Sequence, residues 1–293
     1  MTNEAAHQSR SANFAFRPSD LVHAATWTLA RLTALGVPVL NGNRLELAGK
    51  LVRKVLDGHV TIEPEDSLGV ERLTEAHWTV IEQYTVARVL NPSGHLGEVG
   101  LEKLRTMLGG PDIAADETNP IARNTQFELY VGATFALGGV SFHLEEPDLS
   151  FEYLGTTTGI AAKRVRSPAQ LGKRVKEAAE QIQSTGRPGF VAVNVDAIIK
   201  VTGASPTVGT ALDQRLPTLK RVDADLAGRP EVLGLIVFGH EATWDFEGKR
   251  PRLRIATFTR VRIFPANDRD KAEGEAFFGG VLSRIEKNQR AIW

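Results

Sequence analysis

The stretch from Glu146 to Val165 contains a carboxylate and an ammonium group whose spacing suits a shared site. Asp148 begins one strand-like segment, and Lys163 lies near the end of the next. Gly155 and Thr156 separate the two segments and predict a hairpin turn. With the turn between those two residues, positions 148 and 163 are equidistant from it and lie opposite each other on paired strands. The spacing therefore predicts an Asp–Lys pair.

The flanking sequence predicts the elements that would position this pair. Residues 121–137 have helical periodicity, and their helix ends at Gly138-Gly139. An amphipathic helix is predicted over 168–184, and the apolar run 190–195 indicates a buried strand. Three strand-like segments lie between the two helices, at 140–144, 148–154 and 158–165. The predicted order over 121–195 is therefore α-β-β-β-α-β.

This order, with Pro-Asp at the start of one strand and x-x-Lys at the end of the next, resembles the PD-(D/E)XK nuclease superfamily. The matching residues are Pro147, Asp148 and Lys163, with Glu128 in the helix before them. The resemblance implies an α/β fold with a restriction-endonuclease-like αβββαβ core and a mixed sheet. It also implies a hydrolase that cleaves phosphodiester bonds of DNA, with restriction or phage defence as its context.

The implied chemistry explains the residue types. Carboxylates on adjacent elements bind Mg²⁺ or Mn²⁺, because hard cations prefer oxygen ligands. The bound ion activates a water molecule and neutralises charge on the phosphate. Lys163 would orient that water or stabilise the developing charge. On this resemblance the catalytic candidates are Asp148, Lys163, Glu128 and Glu177, and the metal ligands are Asp148, Glu128 and Glu177.

Position 161 departs from the superfamily pattern, because Ala161 stands where an Asp or Glu is usual. Side chains alternate along a strand, so position 161 should share a face with Lys163. A carboxylate from another element would replace the missing one, and the candidates are Glu128, Glu177 and Glu152. Alternatively the chain is an engineered inactive variant, or a natural member that keeps the fold, binds nucleic acid or a protein partner, and does not cleave. In a third alternative, the motif is a coincidence in an unrelated α/β protein.

Basic residues close to this site are candidates for nucleic-acid binding. Lys+Arg and Asp+Glu balance at 35 each, so any such binding needs a local basic face. DNA is the expected partner, RNA remains open, and the same charges are also typical of a solvated helix face. A homodimer or a protein partner bound by the N-terminal helices is a further expectation. The candidate nucleic-acid-binding residues are Arg164, Arg166, Lys173, Arg174 and Gln181.

The remaining sequence predicts the domain organisation. We expect a flexible tail over 1–17, a helical N-terminal domain over 18–118, and a nuclease-like domain with a C-terminal extension over 119–293. Cysteine is absent, which excludes disulfides and thiolate chemistry. No segment has the length and apolarity of a membrane span, and we expect a cytoplasmic protein. His240-Glu241, after a strong predicted strand at 232–238, is a weaker functional candidate.

Overall fold

The computed structural model describes residues 6–14, 18–63, 66–90, 97–111, 118–198, 222, 224–247 and 250–293. Within these residues the strands form one seven-stranded mixed sheet. The strands are β1 (Ala6–Phe14), β2 (Phe142–His143), β3 (Leu149–Tyr153), β4 (Thr156–Arg164), β5 (Gly189–Asn194), β6 (Val232–Glu247) and β7 (Arg250–Ile263). Their order is β1-β7-β6-β5-β4-β3-β2, in which β4, β5 and β6 are parallel and the other pairs are antiparallel.

The helices begin and end where the sequence offers caps and breakers. Asn43, Asp66 and Asn267 each accept a backbone N–H bond at the start of a helix. The helices are α1 (Pro18–Ala34), α2 (Arg44–Leu56), α3 (Ser67–Val89), α4 (Gly97–Met107), α5 (Ile121–Leu137), α6 (Leu171–Ser184) and α7 (Asp268–Ile292), and a 3₁₀ turn (Pro168–Gln170) precedes α6. The predicted mixed α/β class with helices towards the N-terminus is therefore confirmed.

Two apolar clusters divide the protein into layers. One cluster joins α1–α5 and α7 to one face of the sheet, where Phe190, Ile236 and Phe238 point. The other lies between α6 and the opposite face, which carries Val191 and Val193. This alternation along β5 follows from the pleat, which sends successive side chains to opposite faces. Below, the first is called the α5 face and the second the α6 face.

The β3–β4 hairpin turns one residue earlier than its sequence predicts. Leu154 and Gly155 both have positive φ, 50° and 79°, and they form a two-residue turn between Tyr153 and Thr156. Leu149 pairs with Ile160, so the ladder continues to bring position 148 opposite 161. The predicted 148–163 pairing was therefore wrong by two positions. Because side chains repeat every two residues, this error leaves Asp148 on the same face as Lys163.

The other elements around the hairpin follow the predicted order, whereas the N-terminal segment differs from its prediction. Between residues 121 and 194 the elements run α5-β2-β3-β4-α6-β5, the order predicted from the sequence. Residues 6–14, predicted as part of a flexible tail, instead form strand β1 and pair with β7. The helices of residues 18–107 share a continuous apolar core with the sheet. Within the described chain, no helix combines the length and apolarity needed to cross a membrane.

Candidate functional site

Asp148, Lys163 and Gln181 form a polar cluster where α6 crosses the β3–β4 hairpin. The Lys163 ammonium lies 3.4 Å from Asp148 Oδ2 and 2.5 Å from Gln181 Oε1. Gln181 Nε2 donates to Asp148 Oδ1 at 3.2 Å and also to the Pro147 carbonyl. The backbone N–H of Ala162 donates to Asp148 Oδ2 at 2.7 Å. Both carboxylate oxygens are thus occupied by protein donors, and this set is called the hairpin cluster below.

The pleat of β4 decides which of its side chains join the hairpin cluster. Ala161 and Val165 pack with the apolar side chains of α6, whereas Ala162 packs on the α5 face. Lys163 lies between Ala161 and Val165 in this alternation and reaches Gln181 of α6. Gly159 permits the approach of the chain before β3, since a Cβ there would lie 2.6 Å from Pro147 Cδ. The sequence thus brings Asp148 against β4 through a glycine.

Burial dominates the electrostatics of Asp148. Its side chain is 13% exposed, and burial raises the pKa of Asp148 to about 6, against the opposing effect of the Lys163 charge. The negative charge of Glu128 raises this pKa further. Glu128 is therefore close enough to act on Asp148, although its carboxylate pairs with Lys103 at 2.6 Å. A perturbed carboxyl beside a lysine is a recognised mark of a functional site.

Glu177, the other predicted metal ligand, is not part of the hairpin cluster. Its carboxylate pairs along α6 with Arg174 at 2.7 Å and with Lys173 at 3.9 Å. The residue of α6 that reaches Asp148 lies one turn later, and it is the amide Gln181. Glu152, a further candidate carboxylate, is exposed and accepts from Thr157. The predicted ligand set of Asp148, Glu128 and Glu177 is therefore not assembled, because Glu177 points along the helix surface.

Position 161 offers no ligand. Ala161 is fully buried, and its methyl group packs in the apolar cluster of the α6 face beside Val191 and Leu171. The face predicted for position 161 is correct, since Lys163 and Asp148 lie on it. The space that a carboxylate would occupy is bordered by aliphatic side chains. The hairpin cluster consequently holds one carboxylate, one ammonium and one neutral amide.

The basic candidates divide between the two faces. Lys173 is 76% exposed, Arg166 is exposed, and Arg174 pairs with Glu177, all on or just before α6. Arg164 belongs to the other face, since its positive charge lowers the pKa of Glu82 in α3. Arg164, predicted to bind nucleic acid beside Lys163, is thus separated from it by the sheet. Successive side chains of β4 point to opposite faces of the sheet.

A second polar cluster lies on the α5 face and was not predicted as a unit. Glu82 of α3, Asp196 after β5 and His240 of β6 are all buried, and their candidate ligand atoms lie within 4.8 Å of one another. His240 Nδ1 is 3.0 Å from Asp196 Oδ2 and 3.8 Å from Glu82 Oε1. The His240 backbone N–H donates to Asp196 Oδ1 at 2.6 Å. These three residues are called the buried cluster below.

Amide side chains surround the buried cluster and orient its carboxylates. Asn194 Nδ2 donates to Asp196 Oδ2 at 2.7 Å, and Gln126 of α5 donates to Glu82 Oε2. Arg44 and Gln83 both donate to Gln126 Oε1 and to the Met107 carbonyl, which extends the network into α2, α3 and α4. The His240 ring stacks on Trp78 at 6.1 Å and lies 5.7 Å from the Tyr130 ring. The network joins the helical layer to the sheet.

The three groups perturb one another. Burial raises the pKa of Glu82; His240 opposes the rise and Asp196 adds to it. Burial alone would raise the pKa of Asp196. The charge and hydrogen bonds of His240, together with the hydrogen bond from Asn194, hold this pKa below its ordinary value. Burial would lower the pKa of His240, yet Asp196 and Glu82 together raise it. One imidazole therefore serves two buried carboxylates.

The sequence carried a partial signal for the buried cluster. Asp196 follows one predicted buried strand and His240 follows another, and the carboxyl ends of neighbouring parallel strands meet at one edge of a sheet. Glu82 gave no comparable signal, because its helix position depends on how α3 packs. The Glu241 side chain, paired with His240 in the sequence-based prediction, lies outside the described residues.

Comparisons of the chain with family models, curated proteins and solved structures found no match. Because one fold hosts many activities and a site hosts fewer, the two clusters are the guide to the function of this protein.

Proposed function

We propose that this protein is a nuclease-like DNA-binding protein with a restriction-endonuclease-like core, in which the hairpin cluster faces the phosphodiester backbone. One observation carries the proposal: Asp148 and Lys163 lie side by side on the α6 face, within elements that run α-β-β-β-α-β. That arrangement is the one the PD-(D/E)XK resemblance implies for the residues that handle a phosphate. The proposal further holds that the present sequence binds DNA without cleaving it.

The donor set of the hairpin cluster supports binding rather than hydrolysis. A Mg²⁺ or Mn²⁺ site needs several oxygen ligands, usually from more than one carboxylate. Here Ala161 supplies none, and Gln181 occupies the position from which α6 would supply one. Protein donors already bind both oxygens of Asp148. The residues present do not fit the ion, and we derive no catalytic step through it.

The charges on the α6 side support contact with a phosphate backbone. Lys163 near the end of β4 is partly exposed, and Arg166 after β4 and Lys173 in α6 are exposed. Each lysine or arginine that neutralises a phosphate releases condensed counterions and adds salt-dependent affinity. Such contacts need no base recognition, so they predict binding with little sequence preference.

Metal-dependent cleavage of DNA, as in restriction or defence against foreign DNA, is the second candidate. Two observations favour it: the charge of Glu128 reaches Asp148, and the pKa of Asp148 is raised to about 6. This candidate needs an arrangement that the structure does not have, in which Glu128 leaves Lys103 and becomes the second carboxylate beside Asp148 for Mg²⁺ or Mn²⁺. Perturbed carboxyls of this kind are common where acid–base or metal chemistry occurs.

A substitution in α6 separates the two candidates. Gln181→Glu places a second carboxylate beside Asp148 with almost no change in shape, and Gln183→Glu adds the same charge at an exposed position two residues away. We expect wild type and Gln183→Glu to bind duplex DNA without nicking plasmid in Mg²⁺ or Mn²⁺. Gln181→Glu should gain nicking that chelation removes. The assays are plasmid nicking, cleavage of labelled single strands, and fluorescence anisotropy of a DNA duplex across a salt series.

The outcomes are distinct. If wild type cleaves DNA and Asp148→Asn does not, the second candidate function, metal-dependent cleavage, replaces the first. In the binding assay, log affinity falls with log salt concentration. Lys163→Ala and Lys173→Ala should each make this slope less steep by about 0.9, whereas Lys50→Ala on α2 should not change it. The absence of any affinity for DNA would refute both candidates, and the same series with RNA tests the alternative polymer.

A further inference from the structure

We propose that the buried cluster of Glu82, Asp196 and His240 is a binding site for a divalent first-row transition-metal ion, of the class of Zn²⁺ or Mn²⁺. This site lies on the opposite face of the sheet from the hairpin cluster and is independent of DNA binding. Its ligands come from the helical layer and from two neighbouring strands. An ion here would connect α3 to the sheet.

The distances suit a shared ion. Ligands about 2.1 Å from a tetrahedral ion lie about 3.4 Å from one another. His240 Nδ1 lies 3.0 Å from Asp196 Oδ2 and 3.8 Å from Glu82 Oε1, on either side of that value. All the candidate ligand atoms lie within 4.8 Å of one another, so side-chain adjustments would bring them to one centre.

The surrounding amides resemble the outer shell of a metal site. Gln126 holds Glu82 Oε2, which leaves Oε1 directed towards His240. Asn194 and the His240 backbone N–H hold Asp196 in place. Metal ligands are generally oriented by such second hydrogen bonds, which fix the side chains before the ion arrives. The amides would therefore preorganise the site.

The two ring nitrogens of His240 have different surroundings. The imidazole is 1% exposed, and Nε2 has no hydrogen-bond partner among the described residues. Nδ1 is the nitrogen that lies among the carboxylate oxygens, 3.0 Å from Asp196 Oδ2 and 3.8 Å from Glu82 Oε1. Nδ1 is therefore the atom that would bind the ion.

The donor types select the class of ion. One imidazole nitrogen and two carboxylate oxygens form a mixed set, whereas Mg²⁺ and Ca²⁺ favour oxygen ligands alone. Imidazole suits zinc and other first-row ions, and carboxylate suits manganese. Three protein ligands leave the fourth position of a tetrahedral ion to water, and the ion would link α3 to the sheet through ligands that are all buried. Its effect should be on stability.

The test measures metal content and stability of the full-length protein. Wild type is stripped with EDTA, dialysed against Zn²⁺, Mn²⁺ or Mg²⁺, and analysed by elemental mass spectrometry and thermal unfolding. Glu82→Gln and His240→Gln remove ligands while preserving size, and Asn194→Ala removes an outer hydrogen bond. His77→Gln is the matched control, because His77 is a buried histidine of α3 that bonds to the Leu73 carbonyl and lies outside the cluster.

We expect about one Zn²⁺ or Mn²⁺ per wild-type chain, and a higher unfolding temperature in the loaded protein than in the stripped one. The ligand variants should lose the ion, Asn194→Ala should bind it about 10–100-fold more weakly, and His77→Gln should keep it. Wild type that retains no ion and unfolds at the same temperature with and without EDTA overturns the proposal, whatever the variants do. Retention of the ion by both Glu82→Gln and His240→Gln would overturn it equally.

Discussion

The hairpin cluster and the buried cluster contain similar residue types but differ in how the chain assembles them. Asp148 immediately precedes β3 and Lys163 lies in β4 of the same hairpin, and Gln181 comes from the next helix. Glu82, Asp196 and His240 come from segments far apart in sequence and meet between two layers. Short-range connectivity fixes the first cluster, and the global packing of helices on the sheet fixes the second.

The two clusters also differ in contact with water. Asp148 and Lys163 retain partial exposure, so solvent can screen part of their interaction. The buried cluster has almost none, and its carboxylates accept hydrogen bonds from His240, Asn194 and Gln126. Charges in such a setting interact strongly and are costly when a partner is lost. The same carboxylate substitution should therefore have different consequences at the two places.

The largest expected difference is in stability after removal of one carboxylate. Asp196→Ala should lower the free energy of unfolding by about 3–5 kcal/mol, because it leaves buried donors of His240 and Asn194 unpaired. Asp148→Ala should lower it by about 1–2 kcal/mol, because the donors left behind are partly solvated. Urea unfolding at pH 7 measures both. Equal losses at the two positions would remove the distinction between the clusters.

The second expected effect is a pH dependence that belongs to the hairpin cluster. Because the folded-state pKa of Asp148 is about 6 and its ordinary value is 3.8, the folded protein binds this proton more tightly than the unfolded chain. The contribution is favourable below about pH 4 and is lost as pH rises through about 6. Unfolding of wild type and Asp148→Asn is compared from pH 4 to 7.

In that comparison the stability of wild type relative to Asp148→Asn should fall with rising pH, by at most about 3 kcal/mol. A buried histidine provides the opposite slope as a control. Burial lowers the pKa of His77 to about 4, so its contribution to stability is lost as pH falls below about 6.5. The stability of His77→Gln relative to wild type should therefore increase as the pH is lowered. A constant difference for Asp148→Asn would contradict the burial argument.

The smallest expected effect concerns the turn that positions the hairpin cluster. Gly155 has φ of 79°, so Gly155→Ala should lower the free energy of unfolding by about 1 kcal/mol. Gly172→Ala in α6 is the matched control: no heavy atom lies within 4 Å of the added Cβ, and helix propensity predicts a gain of about 0.5–1 kcal/mol. Thermal or urea unfolding measures both. A higher free energy of unfolding in Gly155→Ala than in wild type would mean that the turn adopts another conformation.

The sequence predicted what local rules determine. Helix α5 begins and ends at the predicted residues 121 and 137, and the strands and helix around Asp148 follow in the predicted order. The hairpin register was wrong by two positions because Leu154, a residue that rarely adopts positive φ, occupies half of the turn. The predicted sheet face of Asp148 was nevertheless correct, because the register error was an even number of residues.

Local sequence patterns do not predict how elements that are distant in the chain are placed relative to one another. Glu177 and Gln181 were both predicted as site residues on the 168–184 helix, but the sequence did not show which of them lies level with Asp148. One helical turn, about 5.4 Å, separates the residue that reaches Asp148 from the one before it. That offset depends on how α6 slides along the sheet, which no local pattern encodes. The contribution of Glu82 to the buried cluster depends in the same way on the packing of α3.

The two-residue turn at Leu154-Gly155 determines which changes in length this chain can tolerate. Adding or deleting one residue in the hairpin would exchange the faces of β3, sending Asp148 to the apolar α5 face and Leu149 to the α6 face. Adding or deleting two residues would preserve both faces and move Asp148 along β4 by one pleat. Sequences that share this hairpin should therefore differ in its length by even numbers.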